Sequence, residues 1–113
     1  MSAQIPNFII IDDSRLDCFI AEKIIQNSGT YSSVKSYMEA TEAYEAIKSG
    51  LIGDDSILTI IILDIQMPVM NGFQFVELFE QLPQEIQSKF AIFLFSSYIN
   101  ENDKNRLDNY PSI

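Results

Sequence analysis

The chain has 113 residues, 47% of them hydrophobic, with 7 basic and 16 acidic side chains and a formal charge of −9, which suits one globular domain with one core and excludes a disordered chain. That negative balance opposes binding to nucleic acid phosphates or anionic lipid and favours a protein or a cation as partner. Histidine is absent and Cys18 is the only cysteine, so His-based zinc sites, Ser-His-Asp and Cys-His nucleophile systems, a His general base, an internal disulfide and CxxC sites are all excluded.

No apolar run approaches the roughly 18 residues that span a bilayer. The N-terminal MSAQIPNF lacks the basic flank of a signal peptide, and a cytoplasmic location is expected. Phe8 to Ile11 is a β-branched apolar run after Pro6, followed at once by Asp12, Asp13 and Ser14, and reads as a strand ending on carboxylates. From Leu16 the apolar residues fall at 16, 19, 20 and 24, the spacing of one helical face, and Ser28-Gly29 closes a helix predicted over Arg15 to Asn27. Cys18, among Leu16, Phe19 and Ile20, reads as a small core residue.

Val34 to Met38 is a second strand of weaker pattern, and Glu39 to Ser49 a second helix, stopped by Gly50. After the polar turn Gly53 to Ser56 comes the stretch on which the chain turns, Thr59 to Gly72, TIIILDIQMPVMNG. Its run Ile60 to Leu63 has no polar alternation, which suits a parallel strand covered on both faces. It ends on Asp64, and Pro68 and Gly72 stop it and shape a loop. Phe75, Val76, Phe79 and Leu82 mark a third helix, failing near Pro83. Gln84 to Lys89 is polar, Phe90 to Phe95 is a fourth strand ending in Ser96-Ser97, and Asn100 to Asn109 supports only a short, marginal fourth helix anchored by Leu107. This alternation predicts an α/β fold with a parallel sheet and right-handed crossovers.

In such a sheet all strands end on one rim, so Asp12, Asp13 and Asp64 converge if the first and third strands are neighbours. Three carboxylates in one pocket repel one another, and a hard divalent cation with oxygen ligands relieves the repulsion. Mg²⁺ is the natural choice, and Ser96 adds a hydroxyl on the same rim. A carboxylate nucleophile, a divalent ion and a hydroxyl are the parts needed to accept a phosphoryl group as an aspartyl phosphate. Asp12-Asp13 taken alone also reads as the N-cap of the first helix.

The IIIDDS of Ile9 to Ser14, the ILDIQMPVMNG of Ile62 to Gly72 and the FLFSS of Phe93 to Ser97 together resemble the receiver domain of two-component response regulators, most like the chemotaxis receivers. The resemblance implies a flavodoxin-like doubly wound parallel sheet of order 2-1-3-4-5 and a single domain over residues 1–113. It implies Asp64 as phosphoacceptor and Asp13 as a direct Mg²⁺ ligand. Asp12 would act through water, Gln66 would offer its backbone carbonyl to the metal, and Ser96 would be the switch hydroxyl. It also implies a histidine kinase or histidine phosphotransfer protein as phosphodonor.

One departure accompanies the match. Family members carry a Lys-Pro after the fifth strand and an aromatic within it, whereas this sequence stops at Tyr110-Pro-Ser-Ile113. Lys89 and Lys104 read as surface charges. A chain lacking most or all of the fifth strand and helix is therefore expected, with the fourth strand an exposed edge open to dimerisation. Two other readings stay open: a degenerate receiver acting as a phosphorylation-independent interaction domain, and a small phosphohydrolase with Asp64 as nucleophile. The latter usually has a second acid two residues on, where Gln66 stands.

Overall fold

The computed structural model describes residues 5–53, 56–65, 67 and 70–95. They form four parallel strands in the order β2-β1-β3-β4: β1 (Asn7–Ile11), β2 (Ser33–Tyr37), β3 (Thr59–Asp64) and β4 (Phe90–Phe95). The chain links them through α1 (Arg15–Ser28), α2 (Ala40–Lys48), α3 (Gly72–Phe79) and a single turn, α4 (Gln84–Gln87). This is the parallel α/β sheet expected from the alternating pattern, in the flavodoxin-like, doubly wound order that the resemblance implies. Among the described residues β4 is an edge strand, and the expected helix over 100–109 and the residues of a fifth strand lie outside them.

The register pairs Ile9 with Ile61 and Ile61 with Ile92, so alternate residues of neighbouring strands line the same face. One face carries Ile9, Ile11, Tyr37, Ile61, Leu63, Phe90 and Ile92, all buried, and meets Ala43, Ala46 and Ile47 of α2 and Phe75, Val76 and Phe79 of α3. The Phe79 and Phe90 rings meet edge to face with centroids 6.0 Å apart. The other face has a smaller cluster, Ile10 with Cys18 and Ile25 of α1, flanked by Phe8, Val34 and Ile62. β3 shows the difference along its own length: Thr59, Ile61 and Leu63 are buried, while Ile60, Ile62 and Asp64 are half-buried. The strand is covered on both faces, as its unbroken apolar run suggests, but more deeply under α2 and α3 than under α1.

Helix α1 corrects a second expectation. Its apolar row at Leu16, Phe19, Ile20 and Ile24 is the exposed side, and the core side is Cys18 and Ile25 with Ala21 beside them. The phase is set at the N-terminus, where Ser14 caps the helix by accepting the Asp17 N–H. Small residues at 18 and 21 then let the helix axis approach Ile10 closely. The Ser36 hydroxyl donates to the Glu22 carboxylate and ties the helix to β2.

Helix α3 begins earlier than its apolar stripe suggests. Asn71 and Gln74 form a reciprocal capping box: the Gln74 N–H donates to Asn71 Oδ1 and the Asn71 N–H to Gln74 Oε1, both at 2.9 Å. Gly72 is therefore the first helical residue and not part of a free turn. Leu82 lies beyond the end of α3 but is buried with the core. The segment read only as polar holds α4, begun by Pro83 at φ −55° and braced by the Gln87 amide, which donates to the carbonyls of Leu82 and Glu80 at 2.8 and 3.1 Å.

Candidate functional site

Because β1 and β3 are adjacent while the chain leaves them for opposite faces of the sheet, their carboxyl ends flank a crevice at the topological switch point. Asp12 and Asp13 leave β1 there, and Asp64 is the last residue of β3. One carboxylate oxygen from each of Asp12, Asp13 and Asp64 lies within 4.8 Å of the others. Asp13 is exposed and Asp64 half-buried, whereas Asp12 is 1% exposed. Gln66 and Ser96 lie outside the described residues.

The surroundings of Asp12 show that neither acid caps α1. Asp12 Oδ1 accepts the Ser14 N–H at 2.9 Å, and Ser14 in turn caps the helix. The Asp12 N–H donates to the Tyr37 carbonyl at 3.0 Å, and the Cys18 thiol donates to the Asp12 carbonyl at 3.3 Å. The backbone is held on both sides, and Oδ2 is left buried with no hydrogen-bond partner. Burial pushes the Asp12 carboxyl above the usual carboxylate range. The Ser14 N–H opposes that shift, the charges of Asp17 and Asp13 add to it, and a side-chain hydrogen bond with Asp64 opposes it more weakly. The Cys18 thiol is raised as well, by burial first and by Asp12 second, which fits a packed thiol and not a reactive one.

A buried carboxylate oxygen without a partner, facing two further carboxylates, is the donor set a hard divalent cation requires. The residues present therefore fit a hard divalent cation, with Asp12, Asp13 and Asp64 as the side chains that would hold it. Beside the acids lies a cavity of about 420 Å³ lined by Asp13, Met38, Glu39, Met67 and Met70 among others.

Gly72 is set by close packing against the strand end and not by turn geometry. A Cβ there would stand 2.8 Å from the Asp64 carbonyl oxygen and 2.9 Å from Ile65 Cα. Its N–H donates to the Ile65 carbonyl at 2.9 Å. Only glycine lets α3 start this close behind Asp64, so Gly72 positions the backbone of the strand end.

The sheet order and the acidic crevice define a flavodoxin-like domain of receiver type. A family model described as the response regulator receiver domain matches residues 8–109, and the chain belongs to that family, the receiver domains of two-component signalling. Among solved structures it resembles a response regulator receiver protein from Dyadobacter fermentans. Identity is 36% and the TM-score 0.84, over 95% of this chain and 80% of that one. A two-component response regulator from Cytophaga hutchinsonii is 25% identical with a TM-score of 0.81, over 95% of this chain and 80% of that one. The receiver domain of the histidine kinase CKI1 from Arabidopsis thaliana, solved with Mg²⁺, shares the fold at 19% identity and a TM-score of 0.72, over 91% of this chain and 77% of that one. No curated protein matches the chain. Among the described residues no helix is long and apolar enough to cross a membrane.

Proposed function

We propose that this receiver domain takes a phosphoryl group onto Asp64 from a phosphohistidine on a partner histidine kinase or phosphotransfer protein. The observation that carries the reading is the convergence of Asp12, Asp13 and Asp64 within 4.8 Å at the switch point, with Asp12 Oδ2 buried and unpartnered. An Asp64 carboxylate oxygen forms a bond to phosphorus as the phosphorus–nitrogen bond to the donor imidazole breaks, its electron pair staying on that nitrogen as a lone pair while the other ring nitrogen keeps its proton, so that neutral imidazole leaves. Two anions must meet for this, and a bound Mg²⁺ supplies the charge that offsets their repulsion. Asp13 would ligate it directly, Asp12 through water, and Gln66 through its backbone carbonyl; Ser96 would turn its hydroxyl to the phosphoryl oxygens.

On this reading the chain is one receiver unit and a cytoplasmic signalling module rather than a turnover enzyme, and its donor histidine is supplied in trans. That agrees with the absence of histidine from the sequence. The −9 charge favours a protein surface over nucleic acid as its target.

Incubation with Mg²⁺ and acetyl phosphate, followed by intact-mass measurement, tests the proposal. A single phosphoryl adduct that needs Mg²⁺ and disappears in Asp64→Asn is the expected result. A folded protein that forms no adduct overturns it in favour of a phosphorylation-independent interaction domain. Multiple turnover of varied phosphate esters overturns it in favour of a phosphohydrolase.

A further inference from the structure

The cavity beside the acids, about 420 Å³, has the size of a site for a small organic molecule. Three of the chain's four methionines line it: Met38, which follows β2, and Met67 and Met70, which lie between β3 and α3. Unbranched, polarisable thioethers adapt to apolar bodies of varied shape. Packing against the core accounts for Met67 and Met70, but Met38 is 39% exposed and belongs to neither core cluster.

The polar part of the wall is anionic. Asp13 and Glu39 line the cavity and are both exposed. Glu39 is the N-cap residue of α2, yet its side chain makes no capping hydrogen bond. The N-terminus of α2, which brings Thr41 to the same wall, sets only about half a positive charge against these two full negative ones. No basic side chain lines the cavity among the described residues.

We propose that this cavity binds a small organic cation, with an ammonium or guanidinium head at Asp13 and Glu39 and an apolar body against Met38, Met67 and Met70. The wall decides the charge of the ligand. An anion is repelled by both acids, and a neutral apolar molecule would strip water from them and return nothing. A lysine side chain reaching in from a protein would fill only a fraction of the volume.

Asp13 is also one of the three acids that converge at the switch point. An ammonium beside it and a divalent cation on the triad repel each other and draw on the same carboxylate, so each lowers the affinity of the other by the same factor. The bound amine thereby restrains Mg²⁺ loading and the phosphoryl transfer that depends on it. This regulatory half rests on the function proposed above, whereas binding to the metal-free chain does not.

Titration of the full, metal-free chain with 4-phenylbutylammonium, followed by amide and methionine-methyl NMR signals, provides the test. The alcohol and the carboxylate of the same phenylbutyl body are the controls. A Kd on the order of 0.1–1 mM is expected for the ammonium, with the largest shifts at Asp13, Met38, Glu39 and Met70. The alcohol should bind about fivefold more weakly, and the carboxylate should not saturate. Glu39→Gln should weaken the ammonium about threefold; the side chain is exposed and caps nothing, so the urea midpoint should stay unchanged. Saturating Mg²⁺ should weaken it about fivefold. The site is overturned by no saturable shift up to about 10 mM, by alcohol binding equal to that of the ammonium, by largest shifts elsewhere, or by indifference to Glu39→Gln. Binding that ignores Mg²⁺ overturns the antagonism. Amine binding in a chain that acetyl phosphate fails to label overturns the phosphoacceptor reading alone.

Discussion

The two faces of the sheet are built from the same strands and end differently. Toward α2 and α3, β3 presents Thr59, Ile61 and Leu63, all buried under aromatic and aliphatic side chains. Toward α1 the same strand presents Ile60, Ile62 and Asp64, half-buried, and the paired β4 residue Phe93 is 58% exposed. The larger core lies on the first face and the acidic crevice opens from the second. Asp64 carries on the alternation of Ile60 and Ile62, and Asp12 that of Phe8 and Ile10, so both belong to the side that, among the described residues, only α1 covers. The proposed phosphoryl transfer needs a crevice that a cation and a donor can enter, and the closely packed layer under α2 and α3 would not admit them.

The largest expected effect separates the faces directly. Phe79 is 1% exposed and packs its ring on Phe90, so Phe79→Ala should cost about 3–5 kcal/mol. Phe93→Ala, on the open face, should cost less than about 1 kcal/mol. Urea unfolding of both variants measures the difference, and equal losses would break the contrast between the faces.

Second in size is Gly72→Ala. The new methyl would stand 2.8 Å from the Asp64 carbonyl oxygen, against backbone that cannot swing aside like a side chain. Overpacking of this kind costs about 1–3 kcal/mol. Because the atoms that must move belong to Asp64 and Ile65, acyl-phosphate labelling of Asp64 should slow as well. Lost stability with an unchanged labelling rate would show that α3 yields while the strand end stays in place.

How far this arrangement was legible beforehand differs residue by residue. The strand ends at Asp12, Asp13 and Asp64 were readable because an apolar run stopping on an acid needs no tertiary context, and the parallel sheet followed from β-α alternation, but that β1 and β3 are neighbours came only from the order that the family resemblance implies. The side on which α1 buries itself was not readable. Leu16, Phe19, Ile20 and Ile24 outweigh Cys18, Ala21 and Ile25 by hydrophobicity, yet the Ser14 cap and the need for small residues against Ile10 set the phase. The start of α3 could have been found from Asn71 followed three residues later by Gln74, a capping-box spacing. The reason for Gly72 could not, since it is a distance to the backbone of Asp64 and appears only once the loop is closed.

The smallest effect is also the one whose sign is least intuitive. Burial lifts the Asp12 carboxyl above its ordinary 3.8, so the folded protein holds that proton more tightly than the unfolded chain does. Stability of the metal-free protein is then greatest with the proton on, below the unfolded value. It falls as pH rises from there through the raised folded value, because ν for the folded state exceeds ν for the unfolded state in that window. Above the raised folded value the ionised Asp12 is a cost to the fold, and there Asp12→Asn should raise the melting temperature of the metal-free protein by a few degrees and flatten its dependence on pH across the acidic range. Added Mg²⁺ should reverse the ranking, stabilising the unaltered chain by mass action and leaving Asp12→Asn nearly unmoved. Thermal melts with and without Mg²⁺, below and above the raised folded value, measure all four arms. If Asp12→Asn is instead destabilising above that value without metal, the half of the carboxylate bonded to Ser14 outweighs the half left buried and alone, and the open face is held together by the acid it was thought to tolerate.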